Sequence, residues 1–151
     1  MNPGSFAIAL LTGALLVAAQ TPDHNAAGLK ALDERNYELA VQHFSKAVAA
    51  DPKDYYSHFN LALAHSAAHQ DEAAITHYRK ALELKPGLYE AQLNLGLVLL
   101  QNRKAAEALP LLESAARQKP MEFRPVYYLA EANAAENKLD LAEAGYRTAI
   151  L

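Results

Sequence analysis

His58, His65 and His69 stand seven and four residues apart, which puts them near one face of a helix. His65 and His69 form an i, i+4 pair, a spacing that can bind a metal ion. Ligating imidazoles also need orienting carboxylates, and none can be placed beside this set from the sequence. No metal site and no cofactor are therefore expected. The chain has no Cys, so it has no disulfide, thiolate zinc site, iron–sulfur cluster, c-type haem attachment or cysteine nucleophile. It also has no Cys for a bacterial lipoprotein anchor. Its six Gly are isolated from one another, so no glycine-rich loop exists to cradle a phosphate. Neither Gly-x-Ser-x-Gly nor His-Glu-x-x-His occurs. The carboxylates are scattered along the chain rather than paired on one face. The expectation is a binding protein, not an enzyme.

The composition points to helices as the scaffold. Hydrophobic residues make up 52% of the 151, and 32 of them are Ala; aromatics are 8%, with no Trp. Many Ala and few bulky residues suit closely packed helices better than sheets. A formal net charge of -3 excludes a sequence-wide affinity for nucleic acid, which needs a basic excess. The first nineteen residues carry no charged side chain, and residues 6–17 (FAIALLTGALLV) form an apolar run of twelve. A membrane-spanning helix needs about 20 apolar residues, so this run is too short. Val17-Ala18-Ala19 fits the small-residue pattern before a signal-peptidase cut. The reading is a signal peptide over 1–19, cut after Ala19, with a periplasmic or secreted mature chain and no remaining membrane span. Two alternatives are an uncleaved anchor and a buried first helix, since residues 1–4 lack Lys and Arg.

The rest of the chain repeats itself. Pro52, Pro86 and Pro120 are spaced by 34 residues, and each follows a helical apolar pattern. They define frames 21–54, 55–88, 89–122 and an incomplete 123–151. Column 8 holds only small residues: Gly28, Ala62, Gly96 and Ala130. Column 20 is Ala40, Ala74, Ala108 and Ala142; column 27 is Ala47, Ala81, Ala115 and Ala149. Column 24 is large throughout: Phe44, Tyr78, Leu112 and Tyr146. Each frame carries two apolar-periodic stretches separated by a polar break, which predicts a pair of antiparallel helices. Small columns let the two helices approach, and column 24 fills the gap beside them. The prolines end each second helix. Asp71 is expected to N-cap the fourth helix, and Asp140 with Glu143 has capping-box spacing. One helix pair cannot bury its own apolar face, so the pairs must stack.

With these columns the chain resembles the tetratricopeptide repeat family. The most specific stretches are Asn94-Leu95-Gly96, and Tyr78-Arg79-Lys80-Ala81-Leu82 with Pro86. The resemblance covers 21–151 and implies an all-α, right-handed α-α superhelical solenoid of helix-turn-helix pairs. His58 and His65 then fall where the family packs a large residue between its helices. The resemblance also implies a concave groove lined by the first helix of each pair. Its best candidates are Tyr56, Phe59, Asn60, Leu63, Leu93, Asn94, Leu97 and Tyr127, with Leu100, Gln101, Arg124, Tyr128 and Glu131 in the same columns. Some relatives clamp an acidic carboxy terminus with basic residues in this groove. Here the corresponding columns hold Asn25, Leu29, Glu90 and Asn94, so that function is not expected. The resemblance implies an exported scaffold for protein or peptide partners of an envelope assembly. An alternative is an N-terminal interaction module of a longer envelope protein, because Leu151 falls five positions short of a full frame.

Overall fold

A computed structural model of the chain describes residues 23–150, so the expected signal peptide lies outside the described residues. Among the described residues every regular element is a helix. The order is α1 (His24–Asp33), α2 (Tyr37–Ala50), α3 (Tyr55–Ala67), α4 (Asp71–Leu84), α5 (Tyr89–Gln101), α6 (Ala105–Gln118), α7 (Phe123–Ala135) and α8 (Leu139–Ala149). Each helix packs on its neighbours in the chain, and α1 touches α3 as α5 touches α7. Contacts that stay within a repeat or reach only the neighbouring one are the mark of a solenoid. None of the described helices is long and apolar enough to cross a membrane.

The repeat columns do what their residue sizes dictate. A Cβ placed on Gly28 would lie 2.6 Å from the Phe44 ring, and one on Gly96 would lie 2.7 Å from Leu112. Column 8 is thus the contact point of the two helices, and column 24 is the side chain laid across it. Phe44, Tyr78 and Leu112 are fully buried there, as are Ala40, Ala74 and Ala108 of column 20. Tyr146 and Ala149 are only partly buried, because among the described residues no further helix covers α8. Leu139 and Leu141 on that helix are exposed.

The boundaries follow from backbone chemistry. The turn inside each pair has one residue at positive φ in the same column: Arg35, His69, Arg103 and Asn137. In each turn the next amide reaches back to the first helix, as when Gln70 N–H bonds the His65 carbonyl at 2.9 Å. This is a Schellman closure made without glycine. It moves the N-cap to the following residue. Asn36 caps α2 by accepting from Leu39 N–H at 3.2 Å. In α4 that position is Gln70, so Asp71 is not the cap. The Asp71 carboxylate instead accepts from Asn102 of the next repeat at 2.8 Å. The capping box at Asp140 does not form either; Lys138 is the N-cap and Glu143 pairs with Arg147. Second helices end at Ala50, Leu84 and Gln118, two residues before each repeat proline. The residue preceding each proline is pushed out of helical geometry (φ near -135°). Pro110 is accommodated inside α6.

Candidate functional site

The groove candidates divide by burial. Tyr56 is 42% exposed at the start of α3. Phe59, Leu63, Asn94, Leu97 and Tyr127 are partly buried, offering one side to solvent. Leu93 and Asn60 do not face an open groove. They are 3% and 2% exposed, and Leu93 belongs to the main apolar core. Asn60 Nδ2 is buried without a hydrogen-bond partner.

Two groups form along this face. Phe59 lies over Tyr78, with ring centroids 5.9 Å apart. Burial pushes the Tyr78 hydroxyl up to about 12, with the neighbouring polar groups of Ser66 and Asn94 pulling the other way. The larger feature lies between α5 and α7. Leu97, Leu100 and Gln101 of α5 and Tyr127, Tyr128, Glu131 and Ala135 of α7 line an open cavity of about 510 Å³. Tyr127 is the centre of an aromatic cluster, stacked on Phe123 at 5.1 Å and close to Tyr128 and Tyr146. The Tyr146 hydroxyl donates to Glu131 Oε1. That bond first, then burial and the carboxylate charge, push Tyr146 up to about 12. The charge of Glu131 also raises Tyr127. Of the eight principal candidates, the cavity unites Leu97 and Tyr127 and leaves Tyr56, Phe59 and Leu63 apart. Tyr146 was not expected here. Its column signals packing, but a phenol laid across a helix contact must also find a polar partner.

The histidines assemble differently from their spacing. His58 and His65 meet His77 of α4, not His69. The His77 ring stacks on His58 at 5.4 Å and on His65 at 5.7 Å. His69 is exposed in the turn. His58 Nε2 lies 3.1 Å from the Pro52 carbonyl, which can only accept, so neutral His58 leaves Nδ1 as an acceptor. His77 Nδ1, 3.1 Å away, is therefore the donor. Burial first, then the neighbouring His58 and His65, press His77 down to about 4. His24 and His43 occupy the same two columns in the first repeat, with rings 5.8 Å apart. Among the described residues no group of three or more His, Asp or Glu is arranged to hold a metal ion.

The tetratricopeptide repeat family model matches residues 25–89 and 90–150. The chain belongs to the tetratricopeptide repeat family. No curated protein matches it. Among solved structures, this tetratricopeptide solenoid superposes on MamA residues 41–end from Desulfovibrio magneticus RS-1 with a TM-score of 0.81 at 22% identity. The match covers 84% of this chain and 72% of that one. A second MamA crystal structure gives 0.79 at 21% identity, over 84% and 74% of the two chains. YrrB, described as a TPR protein with an unusual peptide-binding site, gives 0.79 at 18% identity over 83% and 65%. Similarity at this level establishes the shared solenoid fold of the tetratricopeptide chain.

Proposed function

We propose that the chain is an exported scaffold that binds a protein or peptide partner of an envelope assembly along its concave face and performs no chemistry itself. The observation that carries this reading is the α5–α7 cavity. Leu97, Leu100, Tyr127 and Tyr128 offer apolar and aromatic surface there on the first helices of two successive repeats. Partly exposed aromatics beside a groove supply rigid contact area for a ligand. The peptide-binding site attributed to YrrB agrees with this use of the fold. Export is proposed from the apolar run at 6–17 and the Val17-Ala18-Ala19 site.

Two measurements test the reading. Intact mass of protein recovered from the envelope fraction is expected to begin at Gln20; a cytosolic chain beginning at Met1 contradicts export. Capture from envelope extract, followed by calorimetry with the recovered partner, tests the groove. Leu97→Ala and Tyr127→Ala should each weaken binding about tenfold or more, while Glu83→Ala, exposed on α4, leaves it unchanged. Groove variants that bind like the parent sink the proposal.

A further inference from the structure

We propose that the α5–α7 cavity is a cation pocket, taking a lysine or arginine side chain of the bound peptide against Glu131. This rests on the peptide-groove reading and names the chemistry of the ligand. Glu131 stands four residues after Tyr127 and three after Tyr128, so all three side chains share one face of α7. Glu131 is a partly buried residue of the cavity wall. Its near surroundings are phenols: Tyr146 donates to it, and Tyr127 lies close enough to feel its charge.

Glu131 has no counter-ion among the described residues. Glu34, Glu72, Glu83, Glu107, Glu122 and Glu143 each hold a Lys or Arg within 4 Å. Among the described residues none pairs with Glu131, and the cavity wall carries no basic side chain. Glu38, Glu90, Glu113 and Glu136 are unpaired among the described residues but exposed, whereas Glu131 is partly buried. A carboxylate among phenol rings with no cation beside it is stabilised when a cation arrives with its ligand. The remaining walls suit the rest of such a side chain. Leu97 and Leu100 offer apolar surface to a methylene stem. The faces of Tyr127 and Tyr128 attract the charged head through their ring quadrupoles. An acidic or phosphorylated side chain is disfavoured in this pocket by the same carboxylate. The chemistry is the reverse of a groove that clamps an acidic terminus.

A random peptide library displayed against the full chain, and in parallel against Glu131→Gln, tests the pocket. The expected result is a set of enriched peptides with Lys or Arg at one fixed position beside apolar positions. Against Glu131→Gln the apolar positions persist and the basic one is lost. For one enriched peptide, changing that Lys to norleucine should weaken binding to the parent about tenfold and leave Glu131→Gln unaffected. Tyr127→Leu, which keeps apolar bulk, should reduce the same preference and so separates the aromatic contribution from folding. Peptides with apolar positions only, or a basic preference that survives Glu131→Gln, overturn the cation pocket and leave the groove standing. No enrichment at all overturns the groove and the pocket together.

Discussion

The contact between His58 and His77 makes repeat 2 sensitive to acid at the level of single protons. His77 donates from Nδ1 to His58, and His58 donates to the Pro52 carbonyl, so a further proton on His77 goes to Nε2, where burial opposes the charge. The folded pKa of His77, about 4, lies below the unfolded 6.5. The unfolded chain therefore binds more protons between these values, and stability falls as pH drops from about 6.5 to 4. Asp54 acts in the same direction at lower pH. Partial burial raises its carboxyl, but bonds from Ser57 and backbone amides outweigh this and hold it below 3.8. Repeat 3 carries Gln92 and Leu111 where repeat 2 carries His58 and His77. The double variant His58→Gln, His77→Leu should lose about 1–2 kcal/mol less than the parent between pH 6.5 and 4, allowing for the partial exposure of His77. Denaturant melts at the two pH values measure this, and equal losses contradict it. Gly96 gives a second residue-scale test. In an ordinary helix Gly→Ala stabilises by about 1 kcal/mol. Here the new Cβ meets the buried Leu112 at 2.7 Å, so overpacking should reverse the sign and lower the melting temperature.

At the scale of elements, the four turns inside the pairs carry the cost of regularity. Arg35, His69, Arg103 and Asn137 adopt a left-handed backbone that glycine reaches without strain. Arg103 is exposed, with φ 59°. Arg103→Gly should stabilise the fold by about 0.5–1 kcal/mol, the relieved strain exceeding the added entropy of the unfolded chain. A lowered denaturation midpoint contradicts this account of the turns. Helix number, pairing and the packing columns were legible in the sequence, because helix contacts at columns 8, 20, 24 and 27 select residue size. The caps were less so. Asp71 reads as a cap until the Schellman closure places that role one residue earlier. His77 was not legible as the partner of His58 and His65, because periodicity along one helix says nothing about which imidazole a facing helix presents. Leu93 and Asn60 share columns with open positions. Their burial depends on how the next repeat is rotated over them, and side-chain type does not encode that angle.

Over the whole molecule, a solenoid sums local units and leaves one long face for a partner. On the outer side, exposed pairs such as Arg79–Glu107 and Lys104–Glu72 link successive repeats, each worth little on its own. On the inner side, the second repeat offers Tyr56, Phe59 and Leu63, and the third and fourth together line the open α5–α7 cavity. If the function is recognition, the ligand lies on that inner side. The most direct measurement is amide and tyrosine chemical-shift mapping while a bound peptide is titrated in. Shifts are expected along α3, α5 and α7, largest around Leu97, Tyr127, Tyr128 and Glu131, with α4 and α6 nearly silent. Shifts concentrated on the outer surfaces of α4 and α6, or a saturating peptide that leaves the α5–α7 cavity unmoved, would contradict this placement.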